Sequence, residues 1–426
     1  MDTSDLAGLG VVAVAVTWVD NSGITRVKSV PTAELPRAAV HGLGASPVFD
    51  VFLLEDTIID GRFAGGPVGD LRVRPDLDRL TVLAGQPGWA WAPGDRFHQD
   101  GRPYGPDQRG LAKTVVGRLA DAGFTARAGF EVEWVVGKPG DDFVPAVEGP
   151  AYGHTRQVEV SDYCVALLAA LAAQGVQVIQ FHPEYAAAQF EISTAPGDPV
   201  EAADTAVLVK ETIRAVTARH GMRASFSPKV TVDGVGNGGH LHLSLWRDGE
   251  NLFAGDGLAR EAREFTAGVL AHLPGLCAIG SPSVASYLRL VPSHWAAPFA
   301  AWGVENRETA LRLIGGESAN LEVKSFDLSA NPYLVVAGVV SAGLTGMREG
   351  AELPDPYDVD PASVGGAPRL PLSLGDAVDA FERDEALVGA FGAELAGTIV
   401  DVRRGEIALF ADSSPEEVVA VTRWRH

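Results

Sequence analysis

The chain has 426 residues, 46% hydrophobic and 21% charged, with a formal net charge of −21. That length exceeds what one hydrophobic core serves, so two domains are expected, and the acidic balance excludes general binding to a nucleic-acid backbone, which needs clustered Lys and Arg. Two cysteines, Cys164 and Cys277, cannot build a disulfide framework, and no signal-like N-terminus or membrane-length apolar run is evident, so a cytoplasmic protein with reduced thiols and no membrane partner is expected.

In chain order, residues 11–18 read as a strand, paired with Ile24–Val30 across the turn Asp20-Asn21-Ser22-Gly23. Pro31 and Pro36 end that pairing, and Ala38 to Gly69 shows no clear period. Leu71–Val73 and Leu80–Leu83 are two more short strands. Together these predict a small β-rich domain over residues 1–105, with the turn-rich segment Gly94–Arg109 as the linker. The remainder, 106–426, starts with helical spacing of Leu111, Val115, Val116 and Leu119 in Gly110–Ala122. Strands are expected at Ala128–Val136, Val176–Phe181, Val230–Val232 and His240–Trp246. Helices are expected at Ser161–Gln174, Pro199–His220, Ala259–His272 and Ala330–Met347, and the tail Ser373–His426 reads as helical. There is no regular βαβ rhythm, no GxGxxG and no P-loop. An α+β fold with an antiparallel or mixed sheet is expected.

The chemistry is concentrated in polar residues that interrupt apolar strands. Phe181–Ile192 (FHPEYAAAQFEI) carries Glu184 and Glu191 in an otherwise apolar segment, and a buried unpaired carboxylate is costly. The pairs Glu131/Glu133, His240/His242 and Glu322/Lys324 stand two apart, so each aims two polar groups at one face of a strand. Glu184 and Glu191, seven apart, serve one site only if the chain bends at Ala186–Ala188. If Glu131, Glu133, Glu184, Glu191, Glu322 and His240 converge, the five acids cannot all ionise unaided. Oxygen-rich ligation with a single imidazole suits Mg²⁺ or Mn²⁺ better than Zn²⁺, and two such ions beside an ATP would neutralise its phosphates. Taken singly, each Glu reads as a surface acid and the glycine-rich run Gly234–His242 as a hairpin turn, while His242 reads equally as a core histidine and as a functional one. Arg289, Arg307 and Arg312 carry forks suited to carboxylate or phosphate.

Taken in order, VDNSGITRVKSVP, GDLRVRPD, FEVEW, HPEYAAAQFE, GNGGHLHLSL, RLVPSHWAAP, WGVENRETALRL and LEVKSFDLSANPYL give the chain a pattern that resembles the glutamine synthetase superfamily along nearly its whole length. The resemblance implies a small N-terminal β-grasp-like domain followed by a larger catalytic domain whose curved antiparallel sheet lines a funnel. It implies homo-oligomers of stacked hexameric rings, each active site completed by the neighbour's N-terminal domain. By the same resemblance Glu133, Glu184 and Glu191 match the ligands of one metal, and Glu131, His240 and Glu322 those of a second. Two or three Mg²⁺ or Mn²⁺ ions and ATP are the implied cofactors. Gly236, Arg289 and Lys324 match substrate positions, and Arg307 matches the arginine on the transferred phosphoryl group. Ser244, His242 and Arg312 match nucleotide-side positions, and His182 a histidine beside the phosphate. Asp70 resembles the acid that reaches a neighbouring subunit's amine site.

The implied reaction phosphorylates a carboxylate, that of glutamate, for attack by an amine. Lys324 replaces the usual arginine, which alters the grip on the acid or phosphate. The flap after RLVP reads SHWAAP, with Trp295 near the place of the acid that ammonia-using members carry. An organic amine, whether a polyamine, ethanolamine or another monoamine, is therefore the expected nucleophile, with Asp70 or Glu305 as candidate bases. An ammonia-using glutamine synthetase and a non-catalytic ring of the same fold are the competing readings.

Overall fold

The structure, a computed structural model, describes residues 3–63, 66–255 and 257–426. Among these residues the strands form two sheets. The first comprises β1 (Ala13–Val19), β2 (Thr25–Pro31), β3 (Leu43–Ala45), β4 (Leu71–Pro75), β5 (Thr81–Val82) and β6 (Trp89–Phe97). Its order is β2-β1-β6-β4-β3, with β5 beside β6. β1 and β2 form the expected hairpin, while β6 runs parallel to β1, the grasp-like arrangement that the resemblance implies. The second sheet comprises β7 (Thr125–Gly137), β8 (Val178–Pro183), β9 (Gln189–Thr194), β10 (Arg223–Ser225), β11 (Leu241–Arg247), β12 (Glu250–Asn251), β13 (Phe299–Val304), β14 (Thr309–Ile314) and β15 (Asn320–Val323). Its order is β13-β14-β15-β11-β7-β9-β8, antiparallel except for the parallel pair β13–β14. The fold is α+β, as expected.

One face of the larger sheet is sealed by helices Gln108–Asp121, Pro199–Arg219, Arg260–Gly280 and Pro332–Glu349, which share its apolar core. The last two helices cross closely because of glycine. A Cβ on Gly268 would lie 2.3 Å from the Ala342 carbonyl, and one on Gly346 2.3 Å from that of Glu264. Asn331 caps Pro332–Glu349 by accepting from the Tyr333 and Leu334 amides, and Pro332 sits where its missing N–H costs nothing. With this face closed, polar side chains on the larger sheet can gather only on its other face.

The turn Asp20-Asn21-Ser22-Gly23 locks the first sheet onto the rest. Asn331 donates to the Val19 and Asp20 carbonyls and Arg403 to that of Asn21. Gly23, at φ 74°, passes so near Ser329 that a Cβ would meet its carbonyl oxygen at 1.9 Å. Only glycine fits there.

Three expectations for local structure need correction. The predicted linker Gly94–Arg109 is partly strand: Gly94–Phe97 belong to β6, and Gly94 is there because a Cβ would strike Val73 at 2.4 Å, not because the chain turns. Val230–Val232 is not a strand; Arg423, rather than a ladder neighbour, donates to the Val230 carbonyl. The helix predicted at Ala259–His272 runs on through Pro274 to Gly280, because burial of Leu273, Leu276 and Ile279 against the core outweighs the lost hydrogen bond at proline.

Candidate active site

A cavity of about 600 Å³ opens on the exposed face of the larger sheet. β7, at its centre, aims Glu131 and Glu133 into it, as their spacing requires. In β9, Glu191 sits opposite Glu133, and in β8 His182 sits opposite Glu191. On the other side, His242 in β11 pairs with Glu322 in β15. His240, just before β11, accepts the Glu131 amide on its carbonyl at 3.0 Å. The bend required at Ala186–Ala188 is the turn of the β8–β9 hairpin. Ala188 has φ 54° there, and Arg156 clamps the turn by donating to the Glu184 and Ala186 carbonyls at 2.7 and 2.6 Å.

Two groups of donors have ligand atoms within 4.8 Å of one another: Glu131, His242 and Glu322, and His182, Glu184 and Glu191. These differ from the sets expected from sequence, in which His240 and Glu133 stood in place of His242 and His182. His240 remains close, with Nδ1 2.8 Å from Glu131 and 3.2 Å from Glu322. Glu133 is held on one oxygen by the Gly238 amide at 2.8 Å and the Gln189 amide at 3.0 Å. Its other oxygen lies 3.8 Å from His240 Nε2. A Cβ on Gly238 would come within 2.4 Å of His240 Nε2 and 2.8 Å of Glu133 Oε1, so glycine keeps that convergence open.

The electrostatics are those of crowded acids. Burial, with Glu133 and Glu191 nearby, pushes the Glu184 carboxyl up to about 7. Burial likewise raises Glu133, with Glu191 adding to the rise. The Glu191 carboxylate holds the His182 proton on to about 9. Burial opposes ionisation of Glu131 and Glu322, but hydrogen bonds from His240 and His242 hold Glu131 below the usual range, and Lys324 with the two histidines does the same for Glu322. Among the described residues no Lys or Arg pairs within 4 Å with Glu131, Glu133, Glu184 or Glu191. Such an oxygen-rich set, sharing protons for want of cations, fits hard divalent ions.

The cationic residues line the same cavity. Arg289 is buried, with Nη2 3.3 Å from His240 Nε2 and 3.2 Å from the Lys324 carbonyl. Lys324 Nζ lies 3.2 Å from Glu322. Arg307 lines the cavity with its side chain exposed. Arg312 joins Glu322, at 3.3 Å, to Glu305. Gly236 lines the cavity too, but a Cβ there would first meet the Pro228 carbonyl at 2.1 Å. Trp295 stands at the mouth, 49% exposed, its ring 5.5 Å from that of Tyr185.

Ser244 does not join this group. It lines a neighbouring cavity of about 340 Å³ with Arg127, His242, Trp246 and Asn320, which meets the first at Glu131. Ser244 and Arg312, grouped on one side by sequence, therefore line different cavities. Asp70 lies exposed just before β4 and does not line the acidic cavity of its own chain. Asp50 is structural: it is fully buried against Arg96 at 2.6 Å and the Tyr104 hydroxyl at 2.9 Å.

Sequence reasoning missed Tyr152 and Gln189. Tyr152 enters the cavity from a loop without periodicity. Gln189 was legible in principle, as a third polar residue in AAAQFEI. Its buried amide bridges Glu133, the Gly236 carbonyl and Asn237 at 3.0–3.1 Å.

The description "glutamine synthetase, catalytic domain" matches residues 106–419. The chain is 54% identical to the gamma-glutamylpolyamine synthetase of Streptomyces coelicolor, covering all of this chain and 96% of that protein. It is 31% identical to the glutamine synthetase of Pyrococcus abyssi over 96% of this chain and 94% of the other. Among solved structures, a novel glutamine synthase homolog superposes with a TM-score of 0.87 at 34% identity, covering 96% of this chain and 97% of that one. An ADP complex of GmaS superposes with a TM-score of 0.87 at 30% identity, covering 97% and 96%. With the acidic cavity set in this sheet, these likenesses leave one conclusion: the chain belongs to the glutamine synthetase family of ATP-dependent ligases, which generally use divalent metal ions.

Proposed function

We propose that the chain joins the γ-carboxylate of glutamate to an organic amine at the expense of ATP. The observation that carries this reading is the meeting of five glutamates, the cationic side chains Arg289, Arg307, Arg312 and Lys324, and Trp295 in one cavity. A carboxylate oxygen of the acid attacks the γ-phosphorus of ATP, the bond to the ADP oxygen breaks, and an acyl phosphate forms. The amine nitrogen then attacks the carbonyl carbon, phosphate leaves, and the nitrogen gives up a proton. Activation is needed because a free carboxylate is a poor acyl donor.

Glu131, His240, His242 and Glu322, and His182, Glu133, Glu184 and Glu191, are the residues that would hold two divalent ions. Such ions supply charge neutralisation on the phosphates. Arg289 and Lys324 suit the carboxylates of the acid, and Arg307 the transferring phosphoryl group. Ser244 and its cavity suit the nucleotide. The acceptor side is argued from the flap, where an aromatic ring, not a carboxylate, stands at the mouth. An apolar wall favours an alkyl chain, and the acidic cavity attracts a cationic amine. The 54% likeness to a gamma-glutamylpolyamine synthetase supports the same choice. We further read residues 1–105 and 106–426 as separate domains, and the working protein as a cytoplasmic homo-oligomer of stacked hexameric rings in which Asp70 serves a neighbour's site.

The test is ADP release with glutamate and a panel of polyamines, ethanolamine and other monoamines, against ammonium. Turnover with an organic amine and little with ammonium is expected. Ammonium turnover at millimolar concentration matching the best amine would instead identify an ammonia-using enzyme.

A further inference from the structure

The flap carrying Trp295 is held in a conformation it would not choose alone. Ser293, Trp295 and Ala297 all have positive φ, at 62°, 52° and 53°, where side chains are disfavoured and persist only if the surroundings impose the shape. Burial does not impose it at the tip, because Ser293, His294 and Trp295 are exposed. The C-terminal end is pinned where the Pro298 carbonyl accepts from the Leu370 amide and the Arg369 side chain. The middle is tied by a carboxylate: the Trp295 amide donates to Glu308 Oε1 at 2.8 Å.

Glu308 follows Arg307 in the turn between β13 and β14. It is buried, with 8% of its surface exposed, and its carboxylate is stabilised by the backbone of both Trp295 and Ser293, two residues of the flap. Its own backbone is fixed, because the Glu308 amide donates to Asn306 Oδ1 at 3.1 Å and Asn306 donates to the Tyr357 and Val359 carbonyls at 3.0 Å. Burying a carboxylate is costly, and this one faces backbone groups of the flap, so its placement needs a reason beyond packing. No feature of the mechanism above uses it.

We infer that Glu308 is a positioning residue that holds the flap so that Trp295 forms one wall of the acceptor subsite, and thereby sets which nucleophile is accepted. This rests on the reading that the amine enters beside Trp295. Glu308 touches no reacting atom; it acts through the Trp295 backbone. Burial raises its carboxyl pKa, so a neutral acceptor of the same shape is a fair replacement.

The experiment compares Glu308→Ala and Glu308→Gln in the assembled enzyme, by hydrogen exchange of a peptide covering residues 290–298 and by steady-state kinetics. For Glu308→Ala we expect faster flap exchange and an amine KM raised about tenfold, with the KM for glutamate and ATP changed less than about twofold. Glu308→Gln keeps a carbonyl acceptor for the Trp295 amide and should restore both readouts. Unchanged flap exchange in Glu308→Ala, a loosened flap with an unchanged amine KM, or Gln behaving like Ala would each overturn the inference. Wild-type preference for ammonium would overturn the acceptor reading instead, while the exchange data would still decide whether Glu308 ties the flap.

Discussion

Two buried clusters of charge in this molecule make opposite use of the same side chains. Between the sheets, Arg109 meets Asp204, Asp76 and Asp95, each at 2.8 Å, and Arg96 meets Asp50 and Asp107 at 2.6 and 2.9 Å. There guanidinium forks satisfy the acids, and the result is a rigid joint. In the acidic cavity Glu131, Glu133, Glu184 and Glu191 have histidines as their only cationic partners among the described residues, and Glu184 and Glu133 are driven toward the protonated form. The joint is complete in the chain itself. In the cavity four acids lie without a guanidinium or ammonium partner among the described residues, the arrangement expected of a site that takes up cations and not of a buried ion pair.

If this contrast holds, the largest effect should come from Glu322→Ala. It removes the carboxylate shared by His240, Lys324 and Arg312. Phosphoryl transfer should fall by about three orders of magnitude or more, measured as ATP turnover, while size-exclusion chromatography shows the assembly intact. Collapse of the assembly would make Glu322 a structural residue like those of the joint. Arg109→Ala should do the reverse: it removes the partner shared by three aspartates, leaving Asp76 and Asp95 with Lys113 and Asp204 with Arg79 and the Tyr333 hydroxyl, and unfolding in denaturant should show a loss of about 3 kcal/mol with turnover per folded enzyme nearly unchanged.

The pH dependence sharpens the contrast. His182 and Glu184 have folded pKa values near 9 and 7, above the ordinary 6.5 and 4.5. A raised folded pKa contributes stability below the unfolded value that is lost as pH rises through the folded one. The metal-free protein should therefore melt lower as pH rises from about 5 to 9. Glu131 and Glu322 act in the opposite sense only at more acidic pH, because theirs are lowered. Mn²⁺ should raise the melting temperature by several degrees more at pH 8 than at pH 6, on the order of what a few kcal/mol gives. An equal rise at both values in a thermal melt would place cation binding elsewhere.

The smallest effect expected is on specificity. Trp295→Glu should shift the ratio of kcat/KM from organic amine toward ammonium by about 10- to 100-fold, the range open to one pocket side chain. An unchanged amine profile would remove Trp295 from the acceptor subsite.

Much of this was legible before any coordinates. The i, i+2 pairs Glu131/Glu133 and Glu322/Lys324 do face one cavity, because strand alternation is a local rule. The acids of FHPEYAAAQFEI do line one cavity, and the cost of placing them in apolar sequence was the clue. Less legible was anything that depends on which strand lies beside which. His182 reaches Glu191 because β8 pairs with β9 in that register, and Ser244 and Arg312 part company because β11 and β14 are separated by β15. The glycine of GNGGH that opens the site is Gly238 as much as Gly236, a distinction that needs the positions of His240 and Glu133.

By itself, then, the order of residues determined the fold class, the identity of the acids and histidines, and the faces they would take. Those follow from periodicity and from the cost of burying charge, both of which act over a few residues. Tertiary structure alone decided how the donors group, that the DNSG turn is a latch, and that Glu308 reaches the flap. Those depend on hydrogen bonds and register between segments far apart in the chain, and no local pattern encodes the partner of an unpaired donor or acceptor.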